Sequence, residues 1–388
     1  LEDSKITNVV AEGKDETEGI GTKALESMPE AMKEAGSINV DTVATATVTS
    51  NAILEAAKAA IESAGLNPED YMATSTSEPV AAEDVTKDCD VVVVGAGGAG
   101  MTAAITASDA GKSVIIVESQ GVAGGNSVRS TGGMNAAKTV YQDENEFGEE
   151  AGVEKTLKAA EAYTGENEDF VKELTETVKT QWAEYQANPT GYFDSVELFE
   201  LDTMIGGKGI NDPELVKTLV ENSADAIDWL ESIGATLHNV GQFGGAAVKR
   251  IHRPVNDEGK TLAVGSYVVP ILEKNVEDRG IEVMYNTTAN KILTDDNGAA
   301  CGIVAEGKNG ETVTINAKAV VLASGGFGAN NEMVAEQNPQ LDGYITTNAP
   351  GILGQGIKMA QEIGAGTVDM NQIQLHPTVH VAEDGSAN

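Results

Sequence analysis

The sequence predicts an α/β fold with a buried parallel sheet, preceded by a small α+β unit. Residues 90–94 and 113–117 are almost wholly apolar runs bounded by glycine, which is typical of parallel strands covered on both faces. A third run of this kind spans residues 319–323. The uncharged stretch 91–108 holds a cluster of glycines, which favours a strand, a turn and a helix start over a membrane span.

The N-terminal unit is predicted to combine one strand with two helices. Residues 5–10 alternate between apolar and polar side chains, as in a strand. Residues 22–35 and 50–63 have helical spacing, and Ser50 or Asn51 is the expected N-cap of the second helix. One exposed strand cannot close a sheet, so we expect this unit to lack its first strands.

The domain organisation follows from these elements. We expect a small N-terminal domain over residues 1–70, a linker over 71–88, and the main α/β domain over 89–370 with an acidic helical insertion at 144–187. Residues 371–388 are expected to begin a capping domain. The first residue is not methionine and the last residues are polar, so the chain is expected to be incomplete at both ends.

Composition excludes several classes of function. The 388 residues contain 25 Lys and Arg against 61 Asp and Glu, a formal charge of −36, whereas nucleic acids and anionic membranes need a basic footprint. The two cysteines, Cys89 and Cys301, are too few for a disulfide framework, a zinc site or a haem attachment motif. We predict no metal site and no nucleic-acid partner.

A glycine-rich turn between the first two apolar runs predicts a Rossmann-like dinucleotide site. Residues 95–100 read Gly-Ala-Gly-Gly-Ala-Gly and open a helix predicted from residue 101. The first glycine allows the tight turn, and the second lets the backbone approach a pyrophosphate at the helix N-terminus. Glu118 ends the next strand, where a carboxylate accepts hydrogen bonds from both ribose hydroxyls.

Further glycine loops favour FAD over a nicotinamide cofactor. Residues 124–127 and 130–135 follow Glu118 almost at once, and residues 323–327 close the third apolar run with another Gly-Gly pair. Loops that expose backbone so near a ribose site suit a long ligand threading past the edge of the sheet. An NAD-binding protein with an accessory domain is the simpler alternative.

Together these residues resemble the flavoprotein fumarate reductases of the soluble, flavocytochrome c type, which include urocanate and acrylate reductases. The resemblance implies the Rossmann-like FAD-binding domain of the fumarate reductase and succinate dehydrogenase flavoproteins. The matching motifs occur in the family's order at residues 95–100, 118, 124–127, 132–136, 252–254, 323–327, 347–351 and 374–378.

The resemblance implies a noncovalently bound FAD. The first histidine of the chain is His238, so no histidine lies beside the second glycine loop, residues 124–127, to form a covalent link with FAD. The implied cofactor-binding residues are Gly95, Gly97, Gly98, Ala99, Gly100, Glu118, Gly125, Asn126, Ser127, Thr131, Gly132, Gly133, Ala289 and Gln355.

The N-terminal unit resembles an FMN-binding domain that is often fused to these reductases. In that family a flavin transferase attaches FMN through its phosphate to a Thr or Ser hydroxyl, and residues 41–47 place Thr47 at the matching position. Residues 18–21 match a second feature of the family. Ala44 and Thr45 stand where Ser and Gly are usual. A threonine-rich loop that only caps the following helix is the alternative.

The resemblance also implies the reaction, in which hydride passes from FAD to the C=C bond of an α,β-unsaturated carboxylate such as fumarate, urocanate or another acrylate. His376 matches the histidine that binds the substrate carboxylate. Phe243 stands where fumarate reductases carry methionine, which favours an aromatic or longer acrylate. The family's proton donor is an arginine of the capping domain, so no catalytic residue is named.

Partners and location follow from the same resemblance. Electrons are expected to pass from a membrane or extracellular donor to FMN on Thr47, then to FAD and the substrate, as in anaerobic respiration outside the cytoplasm. Two alternatives stay open. One is a flavin-carrying electron-transfer protein without its own substrate, and the other is a dehydrogenase or oxidase of the same FAD superfamily.

Overall fold

The computed structural model describes residues 6–14, 16, 21–40, 42–43, 46–72 and 83–376. The chain divides into two compact units, one formed by Leu1–Arg129 with Val268–Asn388 and the other by Ser130–Tyr267. The predicted capping segment lies outside the described residues from 377 onward, as do residues 73–82 of the predicted linker. The predicted domain boundaries therefore stay predictions.

The helices, in chain order, are α1 Gly21–Ala35, α2 Thr47–Ser63, α3 Gly98–Asp109, α4 Glu150–Glu161, α5 Glu168–Ala187, α6 Val196–Gly206, α7 Pro213–Glu221, α8 Ser223–Ser232, α9 Val264–Asp278, α10 Asn331–Gln337 and α11 Gln355–Glu362. The strands are β1 Val85–Val94, β2 Val114–Val117, β3 Met134–Asn135, β4 Asn239–Gly241, β5 Ile251–Arg253, β6 Glu282–Met284, β7 Thr288–Thr294, β8 Ala300–Glu306 and β9 Thr312–Leu322.

The first unit is organised by a six-stranded sheet in the order β6-β2-β1-β9-β8-β7. Strands β6, β2, β1 and β9 run parallel; β8 pairs antiparallel with β9, and β7 pairs antiparallel with β8 at the edge of the sheet. Val92, Val93 and Ile116 are fully buried, which confirms the predicted buried parallel strands. The strand ends Val94, Val117 and Leu322 are register partners, so the carboxyl ends of β1, β2 and β9 meet at one edge.

Two sequence predictions for the N-terminal residues are wrong. Residues 6–10 form no strand. Both sheets found among the described residues are built from strands that begin at Val85 or later. Helix α2 begins at Thr47 and not at the predicted cap. The Ser50 hydroxyl is buried inside that helix and accepts a hydrogen bond from the Val43 amide at 2.9 Å, so it anchors the preceding loop.

The second unit packs helices against a short antiparallel sheet in the order β3-β5-β4. The predicted acidic insertion forms α4 and α5, whose apolar faces bury Val153, Val178 and Trp182 in one hydrophobic cluster. The acidic side chains that gave the segment its charge occupy the opposite, exposed faces. This division of faces is the usual pattern of an amphipathic surface helix.

Arg250 is buried in the second unit, with its side chain only 2 % exposed. It donates to both carboxylate oxygens of Asp194 and to Asp202 Oδ2 at 2.8 Å. The pKa of Arg250 is raised above its ordinary value. Burial by itself would lower this pKa, but the hydrogen bonds and charge interactions with Asp194 and Asp202 outweigh that effect. The guanidinium is therefore a buried cation held between the buried carboxylate of Asp194 and the half-buried carboxylate of Asp202.

Candidate cofactor site

A cavity of about 420 Å³ lies in the first unit at the carboxyl ends of its parallel strands. Val94, Val117 and Leu322, the last residues of β1, β2 and β9, all line it. Ligands of open α/β sheets bind at this edge, because the strand-to-helix turns leave a crevice there. The volume is in the usual range for small-molecule and cofactor sites.

The glycine turn at this edge is held by contacts that a side chain would block. Gly95 has φ +105°, and a Cβ on it would lie 2.6 Å from the Ala323 carbonyl oxygen at the end of β9. A Cβ on Gly100 would collide with the Gly95 carbonyl oxygen. Helix α3 can therefore start directly against β1, with Gly97 as its N-cap.

The N-terminus of α3 opens into the cavity, which Gly97, Gly98 and Ala99 line. Glu118 is the only charged side chain among the described residues that line it. A diphosphate bound here would therefore be held by backbone N–H groups and the helix dipole and not by lysine or arginine. The Gly98 N–H donates to the Ser127 hydroxyl at 3.0 Å, which ties the second glycine loop to the helix start.

Glu118 is buried and held in one orientation. Its Oε2 accepts from the Ala96 amide at 2.8 Å, and its Oε1 accepts from the Gln120 amide at 2.9 Å. The Ser119 hydroxyl also donates to Oε1, at 3.3 Å. A carboxylate offers about four acceptor positions, so Oε2 is the oxygen that can still accept from a ligand hydroxyl. The carboxylate therefore suits a ligand hydroxyl, such as one of a ribose, beside the glycine turn whose Ala96 amide it accepts.

Asn126 joins two walls of the cavity. Its Nδ2 donates to Asn348 Oδ1 at 2.6 Å, and its Oδ1 accepts from the Ala349 amide at 2.7 Å. Asn348 in turn donates to the Thr346 hydroxyl at 2.7 Å. The Asn126 amide thus connects the second glycine loop to the segment around Ala349 through two hydrogen bonds.

The cavity gathers most of the predicted cofactor residues in one place, namely Gly95, Gly97, Gly98, Ala99, Glu118, Gly125, Asn126, Ser127, Ala289 and Gln355. Gly100 lies within α3, where it permits the close approach of helix and strand. Sequence reasoning missed other lining residues, namely Thr287, Thr288, Ile352 and Met359, whereas Ser324 belongs to the predicted loop 323–327. Their residue types carry no signal for a ligand, because the fold of the backbone alone places them there.

Thr131, Gly132 and Gly133 belong to the second unit and precede β3. A Cβ on Gly133 would lie 2.5 Å from the His252 carbonyl oxygen and 2.6 Å from Arg253 Cγ, whereas a Cβ on Gly132 would meet nothing within 4 Å. Strand β5 therefore packs directly against Gly133 and leaves open space beside Gly132.

His252 is fully buried in the second unit. Its Nδ1 lies 2.7 Å from the Arg250 carbonyl oxygen, and its Nε2 lies 2.7 Å from the Thr139 hydroxyl. A carbonyl oxygen only accepts, so Nδ1 carries the proton and Nε2 accepts from threonine. Burial lowers the pKa of His252, and the neutral imidazole is the form that this arrangement stabilises.

The two predicted substrate residues each lie in a separate unit. His376, in the first unit, is exposed and lines a cavity of about 440 Å³ with Tyr344 and Asn348. Phe243, in the second unit, is 57 % exposed and lines a cavity of about 650 Å³ with Lys155.

Thr47 is the first residue of α2, which follows Ala46 as N-cap. The neighbouring hydroxyls are occupied, because Thr49 donates to Glu16 at 2.8 Å and Ser50 accepts from the Val43 amide. Both Thr49 and Ser50 are buried. Of these three neighbouring residues, Thr47 is the one at the helix N-terminus, where a phosphate is favoured.

Comparison with family sequence models gives two matches. The family described as FAD binding domain matches residues 90–193 and 181–387, which is more than half of the chain. The family described as FMN-binding domain matches residues 1–62. These matches agree with the FAD and FMN cofactors and with the order of domains predicted from the sequence.

Individual relatives point the same way. A fumarate reductase (cytochrome) of Shewanella frigidimarina is 40 % identical over 292 residues, which cover 75 % of this chain and 43 % of the relative. A urocanate reductase of Eggerthella lenta is 33 % identical over 94 % of this chain and 52 % of the relative. The open conformation of a flavocytochrome c3 fumarate reductase superposes with a TM-score of 0.60 at 35 % identity, over 77 % of this chain and 44 % of that one. The chain thus spans about half the length of the curated relatives it matches.

Proposed function

The chain belongs to the flavoprotein family described as FAD binding domain, and on this premise we propose that it acts as a flavin-dependent reductase. The proposed reaction is reduction of the C=C bond of an α,β-unsaturated carboxylate. Relatives named fumarate reductase and urocanate reductase support this class of substrate.

The observation that carries the proposal is the cavity at the carboxyl edge of the sheet. It offers a helix N-terminus for the pyrophosphate and a fixed carboxylate, Glu118, for the ribose. The glycine turn at residues 95–100 carries no bulky side chain, so its backbone is accessible to a ligand between the helix N-terminus and Glu118. When bound, FAD would supply the hydride. The remaining predicted contacts at Thr131, Gly132 and Gly133 are part of the same proposal.

We assign the substrate contacts to His376 and Phe243. A histidine can donate a hydrogen bond to a substrate carboxylate, and such a donor contributes most where negative charge develops in the transition state. The exposed ring of Phe243 suits an aromatic or extended acrylate better than the small fumarate dianion. We assign the proton donor to no residue of these 388.

FMN is proposed to be attached covalently to Thr47 by a flavin transferase. The match of residues 1–62 to the FMN-binding domain family supports the cofactor. The position of Thr47 as the first residue of α2 supports its choice as the attachment site, since the N–H groups of the helix N-terminus would face the phosphate. Thr49 and Ser50 suit the attachment less well, because both are buried and hydrogen-bonded within the unit.

The proposed electron path runs from a membrane or extracellular donor to FMN, then to FAD and the substrate, in an anaerobic respiratory chain outside the cytoplasm. No helix in the part of the chain that the structure describes is both long enough and apolar enough to cross a bilayer.

The test starts with the absorbance spectrum and intact mass of the purified protein. We expect a flavin spectrum, FAD released by denaturation, and an FMN adduct on the peptide that contains Thr47. Thr47→Ala should lose the adduct, and Thr42→Ala, an exposed threonine on the preceding loop, should keep it. Absence of any flavin from the wild-type protein would contradict the proposed function.

The substrate class is tested with reduced viologen as electron donor. Fumarate, urocanate and other acrylates should each reoxidise it at different rates in the presence of the protein. Reoxidation by oxygen alone would favour an oxidase. Full flavin loading with no acrylate reduced would favour an electron-transfer protein without its own substrate.

A further inference from the structure

Arg253, at the end of β5, holds the loop of Thr131, Gly132 and Gly133 from one side. Its Nη2 donates to the Thr131 carbonyl oxygen at 2.6 Å, and its Nε donates to the Gly132 carbonyl oxygen at 3.1 Å. The two carbonyls belong to consecutive peptide groups. One guanidinium therefore fixes both peptide planes, which a fork of N–H donors can do and a point charge cannot.

This contact sets the direction of two backbone donors. In a trans peptide the C=O and N–H bonds point in opposite directions, and the described residues contain no cis peptide bond. The Thr131 carbonyl shares its peptide with the Gly132 N–H, and the Gly132 carbonyl shares its peptide with the Gly133 N–H. Both N–H groups therefore point away from Arg253, side by side.

The surroundings of the two glycines differ in a way that suits a ligand. Among the hydrogen bonds of the described residues, neither the Gly132 N–H nor the Gly133 N–H has a protein acceptor. Gly133 is packed against β5, where a Cβ would meet His252 O and Arg253 Cγ. Beside Gly132 the space is open to at least 4 Å. The loop is thus packed against β5 at Gly133, and it borders open space at Gly132.

We propose that Arg253 is a positioning residue that turns the N–H groups of Gly132 and Gly133 towards an oxygen or nitrogen acceptor of the flavin ring system. The proposal rests on the proposed function, because it takes FAD as the ligand of this loop. Arg253 itself does not touch the flavin. It acts through the two peptide groups.

The electrostatic consequence concerns the reduced cofactor. Reduction of FAD adds two electrons and one proton and leaves the ring with one negative charge. The Arg253 cation lies behind two peptide dipoles whose positive ends face the ligand, and preorganised donors of this kind stabilise charge that develops on reduction. Reduced FAD should therefore bind more tightly than oxidised FAD because of Arg253, and the reduction potential should be higher with it than without it.

Three variants of the full FAD-loaded protein test this inference. Arg253→Met removes both donors and the charge, and Arg253→Lys keeps the charge but loses the fork. Gly132→Ala places a methyl group in the open space, where it meets no protein atom within 4 Å. Arg279→Met is the matched control, since it removes a cation paired with Asp109 at the surface of the first unit.

The readouts are the FAD dissociation constant by flavin fluorescence, the two-electron reduction potential against a reference dye, and the thermal midpoint of the apoprotein. For Arg253→Met we expect reduced FAD to lose at least tenfold in affinity relative to oxidised FAD, which is about 30 mV for a two-electron couple. Arg253→Lys should recover part of this change. Gly132→Ala should weaken FAD binding and leave the thermal midpoint of the apoprotein unchanged. Arg279→Met should change neither the FAD dissociation constant nor the reduction potential.

A merely structural role for Arg253 would lower the thermal midpoint and leave the potential of the loaded protein unchanged. That result would overturn the inference, as would normal FAD affinity in Gly132→Ala. Both results leave the proposed function intact, provided that the wild-type protein binds FAD and reduces an acrylate. If the wild-type protein binds no FAD, the proposed function and this inference are both wrong. If Arg253→Met fails to fold, Arg253→Lys and Gly132→Ala still decide the question.

Discussion

Replacement of Arg250 by methionine should be among the most destabilising single changes in the second unit. Methionine keeps much of the volume of the side chain but removes the cation that lies between Asp194 and Asp202. Side-chain exposure of Arg250, Asp194 and Asp202 is 2 %, 1 % and 11 %. Neither carboxylate can turn to solvent without breaking other bonds, because Asp194 accepts from Gln142 and Asp202 from Thr156.

The expected magnitude follows from this burial. Removing one partner of a buried, hydrogen-bonded ion pair costs about 3–5 kcal/mol, because the remaining charge stays desolvated and unpaired. At a urea dependence of about 2 kcal/mol per molar, a loss of about 4 kcal/mol lowers the urea midpoint by about 2 M. The triple variant that also carries Asp194→Asn and Asp202→Asn removes the uncompensated charge and should recover a large part of the loss.

Tryptophan fluorescence during urea unfolding is the appropriate assay, because both tryptophans of the chain, Trp182 and Trp229, belong to the second unit. The control is Lys179→Met. Lys179 also pairs with two carboxylates, Glu161 and Glu176, but at the exposed surface. Exposed pairs contribute little, so this variant should barely move the midpoint. Equal shifts for Arg250→Met and Lys179→Met would refute the argument from burial.

Three further predictions concern the cofactor cavity and the buried histidine. Gly100→Ala should abolish FAD binding and lower the thermal midpoint, because its Cβ would collide with the carbonyl oxygen of the first glycine of the turn; retention of FAD in a purified variant would contradict this. Asn348→Ala should raise the FAD dissociation constant about tenfold, the equivalent of about one hydrogen bond, since it frees Asn126 from the opposite wall of the cavity. Fluorescence titration should show no such change for Asn309→Ala in an exposed turn. Because burial lowers the pKa of His252 below its ordinary value of 6.5, the unfolded chain binds more protons than the folded one as pH falls through 6.5 towards the lowered value. The free energy of unfolding should therefore decrease as the pH is lowered through that window. The slope of the unfolding free energy against pH should be smaller in His252→Gln.

The sequence was most informative where one residue type permits only one local structure. The glycines of residues 95–100 predicted a turn between strand and helix, and Gly95 has the positive φ that such a turn requires. The apolar runs predicted β1, β2 and β9, because strands covered on both faces carry apolar side chains on both. The alternation of residues 6–10 was misleading, since a strand also needs a partner and alternation does not supply one.

The cofactor cavity shows the same limit. Glu118 could be named from sequence because a carboxylate at the end of the second strand has a known partner in dinucleotide sites. The partnership of Asn126 with Asn348 could not, because more than 200 residues separate them and neither residue type indicates the other. The same holds for Arg250, whose partners Asp194 and Asp202 look like ordinary surface acids in the sequence.

The sequence by itself thus determined the class of fold, the glycine turn, the carboxylate at the end of the second parallel strand and the family resemblance that suggests both flavins. These features depend on local backbone requirements and on motifs of fixed spacing. Only the tertiary structure decided that Asn126 spans the cavity, that a buried cation holds the second unit, and that Arg253 orients two backbone donors. Those features depend on which distant side chains the packed backbone brings within hydrogen-bonding distance.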